Sequence, residues 1–425
     1  MDFPVSAQVK AGRLTDGGRL WSDLMTMAEI GALPNGGCCR LALTDEDRQA
    51  RDLFVRWCRE AGCEVRVDPF GNIFATRPAR SRDAAHVLVG SHLDTQPHGG
   101  RFDGVLGVLA GLETVRALNE AGIETEHAVT VVNWTNEEGV RFAPGLTGSS
   151  GFVGAIRAYD TSAVTGVGGV PFYPELHRIG YAGSSRLTDR IAGYYELHIE
   201  QGPVLERAGV SIGLVEGVQG VRWLSIALNG EDRHAGTTPA RDRRDAFMAA
   251  ARLAVDMRRA ALALDENFRI TFGRIGVEPG SVNTVPGRVT MTADLRHSDV
   301  GFLDRIEQEF EAAVAALRDS EGVDGVVTRM MDVAPVRFDP AMQETIAAAA
   351  SELGIAARRL PSGAMHDASN LATVAPSAMI FVPSRGGISH NESEWTDPAQ
   401  IADGCEVLAR AVLSHATGAV ASNSR

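Results

Sequence analysis

Apolar runs of strand length recur along this chain and alternate with helix-length segments. His86-Val87-Leu88-Val89-Gly90 is one such run; Val129 to Trp134, Tyr194 to Ile199 and Ser377 to Val382 are others. Runs that are apolar throughout suit strands covered on both faces. Between the first two, Val105, Val108, Leu112, Val115 and Leu118 recur at helical spacing, and Gly122 closes the pattern. This alternation implies an α/β fold with a mostly parallel sheet.

The middle of the chain follows another rule. Val289, Met291, Ala293 and Leu295 alternate with Thr290, Thr292, Asp294 and Arg296, as in a strand with one buried face, and Leu224, Ile226 and Leu228 repeat the pattern. Thr238-Pro239 reads as the cap and first residue of a helix through Phe247, Ala251, Leu253 and Met257. A second helix is expected near Phe302 to Leu317. The expectation is a discontinuous main domain, residues 1–213 and 334–425, around a smaller α+β insert, residues 214–333. With 425 residues, two cores are expected anyway. Asp397-Pro398 opens a last helix, and the tail after Thr417 is expected to fray.

A net charge of −13 argues against nucleic acid as a partner. It leaves room for a small anionic substrate, since one arginine can hold a carboxylate. Cys38, Cys39, Cys58, Cys63 and Cys405 form no CxxC pair, and Met1 to Leu20 holds no signal-length apolar run. No membrane-spanning stretch is visible either, so a cytoplasmic protein is expected.

The polar residues that end the apolar runs carry the chemistry. His92 and Asp94 follow the first, and Asp94 is placed to take the second imidazole N–H and fix the tautomer. Asp103 begins a helix, where a carboxylate can cap, bind metal or do both. Glu137 and Glu138 follow the second run and point opposite ways, so one can bind metal while the other acts as a base. His198 shares a strand face with Glu196 and Glu200. His390 lies in the loop after Val382. Alone, each has an ordinary reading as a cap, turn or surface group. Mixed nitrogen and oxygen donors gathered at strand ends suit a pair of divalent ions.

Taken in order, Gly90-Ser91-His92-Leu93-Asp94, Phe102-Asp103-Gly104, Asn136-Glu137-Glu138-Gly139, His198-Ile199-Glu200-Gln201-Gly202, His234-Ala235-Gly236-Thr237-Thr238-Pro239, Gly363-Ala364-Met365-His366-Asp367-Ala368 and Ser389-His390-Asn391-Glu392 resemble the M20 metallopeptidase superfamily. Within it they resemble the branch of N-carbamoyl-L-amino acid hydrolases, β-ureidopropionases and allantoate amidohydrolases. His198 is the discriminating position, because peptidases of the superfamily carry an acid there.

The resemblance implies that His92, Asp103 and His198 hold one ion and Asp103, Glu138 and His390 the other, with Asp103 shared. It makes Glu137 the general base, Asp94 the partner of His92 and His234 an oxyanion donor that reaches across a homodimer. Gln201, Asn283, Arg296 and Gly363 would contact substrate, the Asp103–Gly104 peptide would be cis, and the insert would serve as lid and dimerisation domain. The ions would be Zn²⁺ or Mn²⁺, with Ni²⁺ or Co²⁺ as substitutes. The implied reaction cleaves the ureido C–N bond of an N-carbamoyl-L-amino acid or β-ureido acid, giving amino acid, ammonia and CO2. Allantoate hydrolysis, hydrolysis of another N-acyl amino acid, and a non-catalytic metal-binding protein on the same scaffold are the rival readings.

Overall fold

The computed structural model describes residues 12–81, 83–157, 164–187 and 190–418. Most of the tail expected to fray, residues 419–425, lies outside them, as do residues 1–11. Two compact units emerge: Met1–Gly217 with Arg337–Arg425, and Val218–Val336.

In the first unit, the described residues form a nine-stranded sheet. At its centre, Ala128–Trp134, His86–His92, Ile191–Ile199 and Ser377–Val382 lie side by side and parallel. Antiparallel strands extend both flanks: Ile73–Arg77 then Glu64–Val67 beside Ala128–Trp134, and Ile212–Val218 beside Ser377–Val382. His86–His92, Ala128–Trp134 and Ser377–Val382 are buried at every position, as their unbroken apolar runs require. Helices Val105–Glu120 and Pro398–Ala416 pack on each other and on the sheet.

Register places the chemistry. His92 pairs with Trp134 and Phe381 with His198, so His92, the Asn136–Glu138 turn, His198 and the loop carrying His390 all leave the sheet at its carboxyl end. Open parallel sheets gather ligands at that end.

The second unit has its own core. Arg288–His297 pairs antiparallel with Gly220–Asn229, which pairs with Asp324–Val333 at the sheet's edge. Leu224, Ile226, Leu228, Val289, Met291, Ala293 and Leu295 line one face, against helices Ala246–Leu264 and Val300–Glu321. Each of these Leu, Ile, Val and Met side chains contributes roughly 1.5–3 kcal/mol relative to exposure.

Three expectations need correction. The units meet at 217/218 and 336/337 rather than 213/214 and 333/334, because Ile212–Val218 hydrogen-bonds into the large sheet through Ser377–Val382. The helix expected from Thr238-Pro239 starts at Ala246 instead, with the Asp245 carboxylate accepting the amides of Phe247 and Met248. A short 3-10 turn, Ala240–Asp242, occupies the stretch after Pro239. Among the described residues, cis peptides occur only at Ala143–Pro144 and Glu278–Pro279, so Asp103–Gly104 is trans; Gly104 makes the bend with φ +67°.

Candidate metal centre

Asp103 sits at the middle of the cluster. Its helix begins at Val105 with Gly104 in the cap position and no side-chain cap, which leaves the Asp103 carboxylate free to face inward. Oδ1 lies 3.2 Å from His198 Nε2, and Oδ2 lies 3.3 Å from His390 Nε2. Two oxygens of one carboxylate thus address two different imidazoles. Gly104 is required here, since a Cβ would come within 2.4 Å of the His92 ring.

Two donor sets follow. His92, Asp103 and His198, all buried, bring ligand atoms within 4.8 Å of one another; so do Asp103, Glu138 and His390. The two buried imidazoles are oriented by their far nitrogens: His92 Nδ1 bonds the Asp94 carbonyl oxygen at 2.8 Å, and His198 Nδ1 bonds the Ile199 carbonyl oxygen at 2.9 Å. Both bonds fix Nε2 toward the cluster. Gln96 Nε2 donates to Glu138 Oε2 at 2.6 Å, while Glu138 Oε1 is buried with no hydrogen-bond partner. A buried acceptor left open beside imidazole nitrogens and a shared carboxylate fits a pair of divalent cations.

The electrostatics of the cluster tell the same story. Burial alone would raise the Asp103 carboxyl, yet hydrogen bonds from His198 and His390 hold it well below the usual range. The Asp103 hydrogen bond raises His390 to about 9. His198 also rises to about 9: burial alone would lower it, but the bond to Asp103 together with the charges of Asp103 and Glu196 outweighs burial. Burial, then the charge of Asp103, pushes Glu138 up to about 8. Cations held among these groups would neutralise the carboxylates.

Glu137 belongs to neither set. Burial first, then Glu138, raises its carboxyl well above the ordinary value, and Oε2 lies 3.5 Å from His92 Nε2. It follows Asn136, whose φ of +56° is held by side-chain bonds to the Phe142 carbonyl and the Thr147 hydroxyl. Positive φ in a non-glycine residue is strained and persists only where neighbours over-determine it.

The expected role of Asp94 is corrected. Its carboxylate does not take the His92 N–H; the backbone carbonyl does. Oδ1 and Oδ2 instead accept the amides of Glu137 and Glu138, at 3.2 Å each. Two adjacent N–H groups in a turn offer a carboxylate a two-point fork, which a single ring N–H two residues away does not.

Gln201 joins the cluster: Nε2 approaches Asp103 Oδ2 at 3.2 Å and His390 Nε2 at 3.4 Å. Gly363 follows the strand Ala357–Ser362, and His366 caps the short helix Asp367–Leu371. A third group, Glu196, His198 and His366, also lies within ligand distance. It is a poor metal site, since Glu196 already accepts from Ser91 Oγ, Tyr194 OH and the Ala368 amide.

Sequence reading passed over Gln96 and Glu394. Nothing local marks them, because each acts on a residue distant in sequence; Glu196 alone was signalled, by sharing a strand face with His198.

In the second unit, the backbone amide of Ala235, next to His234, donates to the Asn283 carbonyl at 2.9 Å, and His234 pairs with Thr284. Both His234 and Asn283 are exposed. Arg296 is clamped by Asp294, with Nε and Nη2 each 3.0 Å from a carboxylate oxygen. Residues two apart on a strand share a face, and the clamp fixes the guanidinium plane.

Residues 88–414 match the family described as Peptidase family M20/M25/M40. The chain is 43% identical to an N-carbamoyl-L-amino-acid amidohydrolase of Rhizobium meliloti over 405 residues, covering 95% of this chain and 97% of that one. It is 32% identical to the allantoate amidohydrolase of Bacillus subtilis, covering 90% and 93%. A solved amidase of the hydantoinase/carbamoylase family from Burkholderia multivorans superposes with a TM-score of 0.91 at 47% identity, over 95% of this chain and 98% of that one. A fold with this sheet, this insert and this pair of donor sets, matched over most of its length, belongs to peptidase family M20/M25/M40.

Proposed function

We propose that this chain is a two-metal amidohydrolase that cleaves the ureido C–N bond of N-carbamoyl-L-amino acids, releasing amino acid, ammonia and CO2. The observation that carries this reading is the Asp103 carboxylate, whose two oxygens face two separate imidazoles. His92, Asp103 and His198 would hold one divalent ion; Asp103, Glu138 and His390 would hold the second. The native ions in this reading are Zn²⁺ or Mn²⁺, with Ni²⁺ or Co²⁺ able to replace them. Divalent ions held there supply Lewis acidity, acidifying water and polarising a carbonyl oxygen.

Glu137 takes a proton from the attacking water and delivers it to the departing amine. Its setting supports this: a carboxyl raised by burial and by Glu138 readily holds a proton between steps. Asp94 acts through backbone, keeping Glu137 and Glu138 in one turn. Gln201 and Gly363 would form the wall around the reacting group. In the insert, the Arg296 guanidinium, oriented by Asp294, would meet the substrate carboxylate, Asn283 its polar edge and His234 the oxyanion, where loss of a donor typically costs ~3–4 kcal/mol.

The resemblance to the 32%-identical allantoate amidohydrolase supports a second reading, hydrolysis of allantoate, which also carries ureido groups and a carboxylate. Ammonia release from N-carbamoyl-α-amino acids, β-ureido acids and allantoate, with free amino acid as the readout for N-acyl amino acids, decides between them after reconstitution with Zn²⁺ or Mn²⁺. Turnover fastest on N-carbamoyl-L-amino acids is expected. Allantoate alone as substrate would select the second reading, and no ammonia from any would reject both.

We further infer a homodimer through the insert, supported by its uncovered edge strand Asp324–Val333, where Val326 and Met330 are exposed. A cytoplasmic setting fits five free cysteines. Among the described residues, no helix is long and apolar enough to cross a membrane.

A further inference from the structure

One buried carboxylate near the donor sets has no part in the chemistry proposed above. Glu394 is 3% exposed and lies four residues beyond His390. Its Oε1 accepts the backbone amides of Phe102 and Asp103, at 3.1 and 3.2 Å. Its Oε2 accepts the hydroxyl of Ser389 at 3.0 Å, and that hydroxyl also lies 3.4 Å from Asp103 Oδ2. One side chain therefore grips the peptide of the shared ligand and the loop of His390, from segments nearly 300 residues apart in sequence.

The surroundings are built for it. A Cβ on Gly100 would come within 1.9 Å of Glu394 Oε1, so the loop before Phe102 must have glycine there for the carboxylate to reach. Trp395, next in sequence, packs edge-on against Phe102 and Trp21, at 5.9 and 5.5 Å between ring centroids. Aromatic contact and carboxylate grip hold the same two segments together.

We propose that Glu394 is a positioning residue for the metal pair, fixing Asp103 and His390 so that Asp103 can serve both ions. This rests on the two-metal reading. Outer partners of metal ligands typically contribute about 10–100-fold in metal affinity. What matters is an acceptor that reaches two amides while the other arm meets Ser389. Glutamine satisfies that demand, with its carbonyl on the amides and its NH2 donating to the Ser389 hydroxyl. Aspartate keeps the charge but is one methylene too short to span both.

The test is titration of the metal-free, full-length protein with Zn²⁺ against a chromophoric chelator, with Co²⁺ absorption as a second readout of ligand geometry. Wild type is expected to take two equivalents. E394Q should stay within about threefold of wild type, while E394D and E394A should lose about 10–100-fold for the weaker-bound equivalent, with altered Co²⁺ spectra. Thermal melting of the metal-free variants identifies any that do not fold, and the Q-against-D contrast does not need the alanine variant. Wild-type affinity in E394D, or E394Q as weak as E394D, overturns the positioning role and leaves the two-metal reading standing. Wild type taking fewer than two equivalents overturns both.

Discussion

Glu137 and Glu138 are neighbours with opposite duties, and that division is testable. Glu137 is in neither donor set, so Glu137→Gln should retain two equivalents of metal while turnover falls by about 10²–10⁴ or more. Turnover within tenfold of wild type would remove it as the base. Arg296→Ala should lower kcat/KM on a carboxylated ureido substrate about 10–100-fold, the scale of one lost charged hydrogen bond. An uncharged ureide should be affected far less; equal loss on both would make the arginine structural, a partner for Asp294. At this scale the donors were legible in the sequence, because His92 and Glu138 end apolar runs and strand period sets which neighbours share a face. The role of Asp94 was not. Its partners are backbone amides more than forty residues away, and that pairing exists only once strands His86–His92 and Ala128–Trp134 align.

Elements, more than single residues, decide how the sheet responds to acid. His415 ends the helix Pro398–Ala416, bonds Tyr195 OH at 3.2 Å and packs near His127. Burial first, then the charge of His127, lowers it to about 4, with Asp339 pulling weakly the other way. In the unfolded chain it titrates near 6.5. The folded pKa is the lower one, so the unfolded state binds more protons between those values. The neutral ring's contribution is therefore fully present above pH ~6.5 and lost as pH falls toward 4, at most about 3 kcal/mol. Melting temperatures of wild type and His415→Gln between pH 7 and 4.5 should converge as pH falls; parallel curves would exclude His415 as the acid-sensitive group. The parallel strands were readable because burial on both faces demands unbroken apolar runs. The start of helix Ala246–Leu264 was not, since Thr238-Pro239 and Asp245 both carry cap signals and only packing against the antiparallel sheet selects Asp245.

Across the whole molecule, the chain leaves one core and returns to it, crossing at 217/218 and 336/337. The insert was legible as a change from unbroken apolar runs to strict alternation, which is how one-faced and two-faced sheets differ. Its edge was not, because strand order cannot be read from period alone. Among the described residues, that edge, Asp324–Val333, offers ten residues of backbone paired with Gly220–Asn229 on one side only. A bulge between Arg329 and Met331 distorts its far end, so a flat template remains from Asp324 to Thr328. A two-fold pairing of copies centred on Val326 would set that side chain against its own copy across the antiparallel gap. Val326→Lys then faces two ammonium groups at the symmetry axis, where like charges directly opposed destabilise a pair. Sedimentation of the full-length protein at micromolar concentration should show a dimer for wild type and a shift toward monomer for Val326→Lys, with the melting temperature of the variant little changed because the site is exposed. A variant dimer as tight as wild type would move the interface elsewhere on the molecule, and a monomeric wild type would end the homodimer proposal.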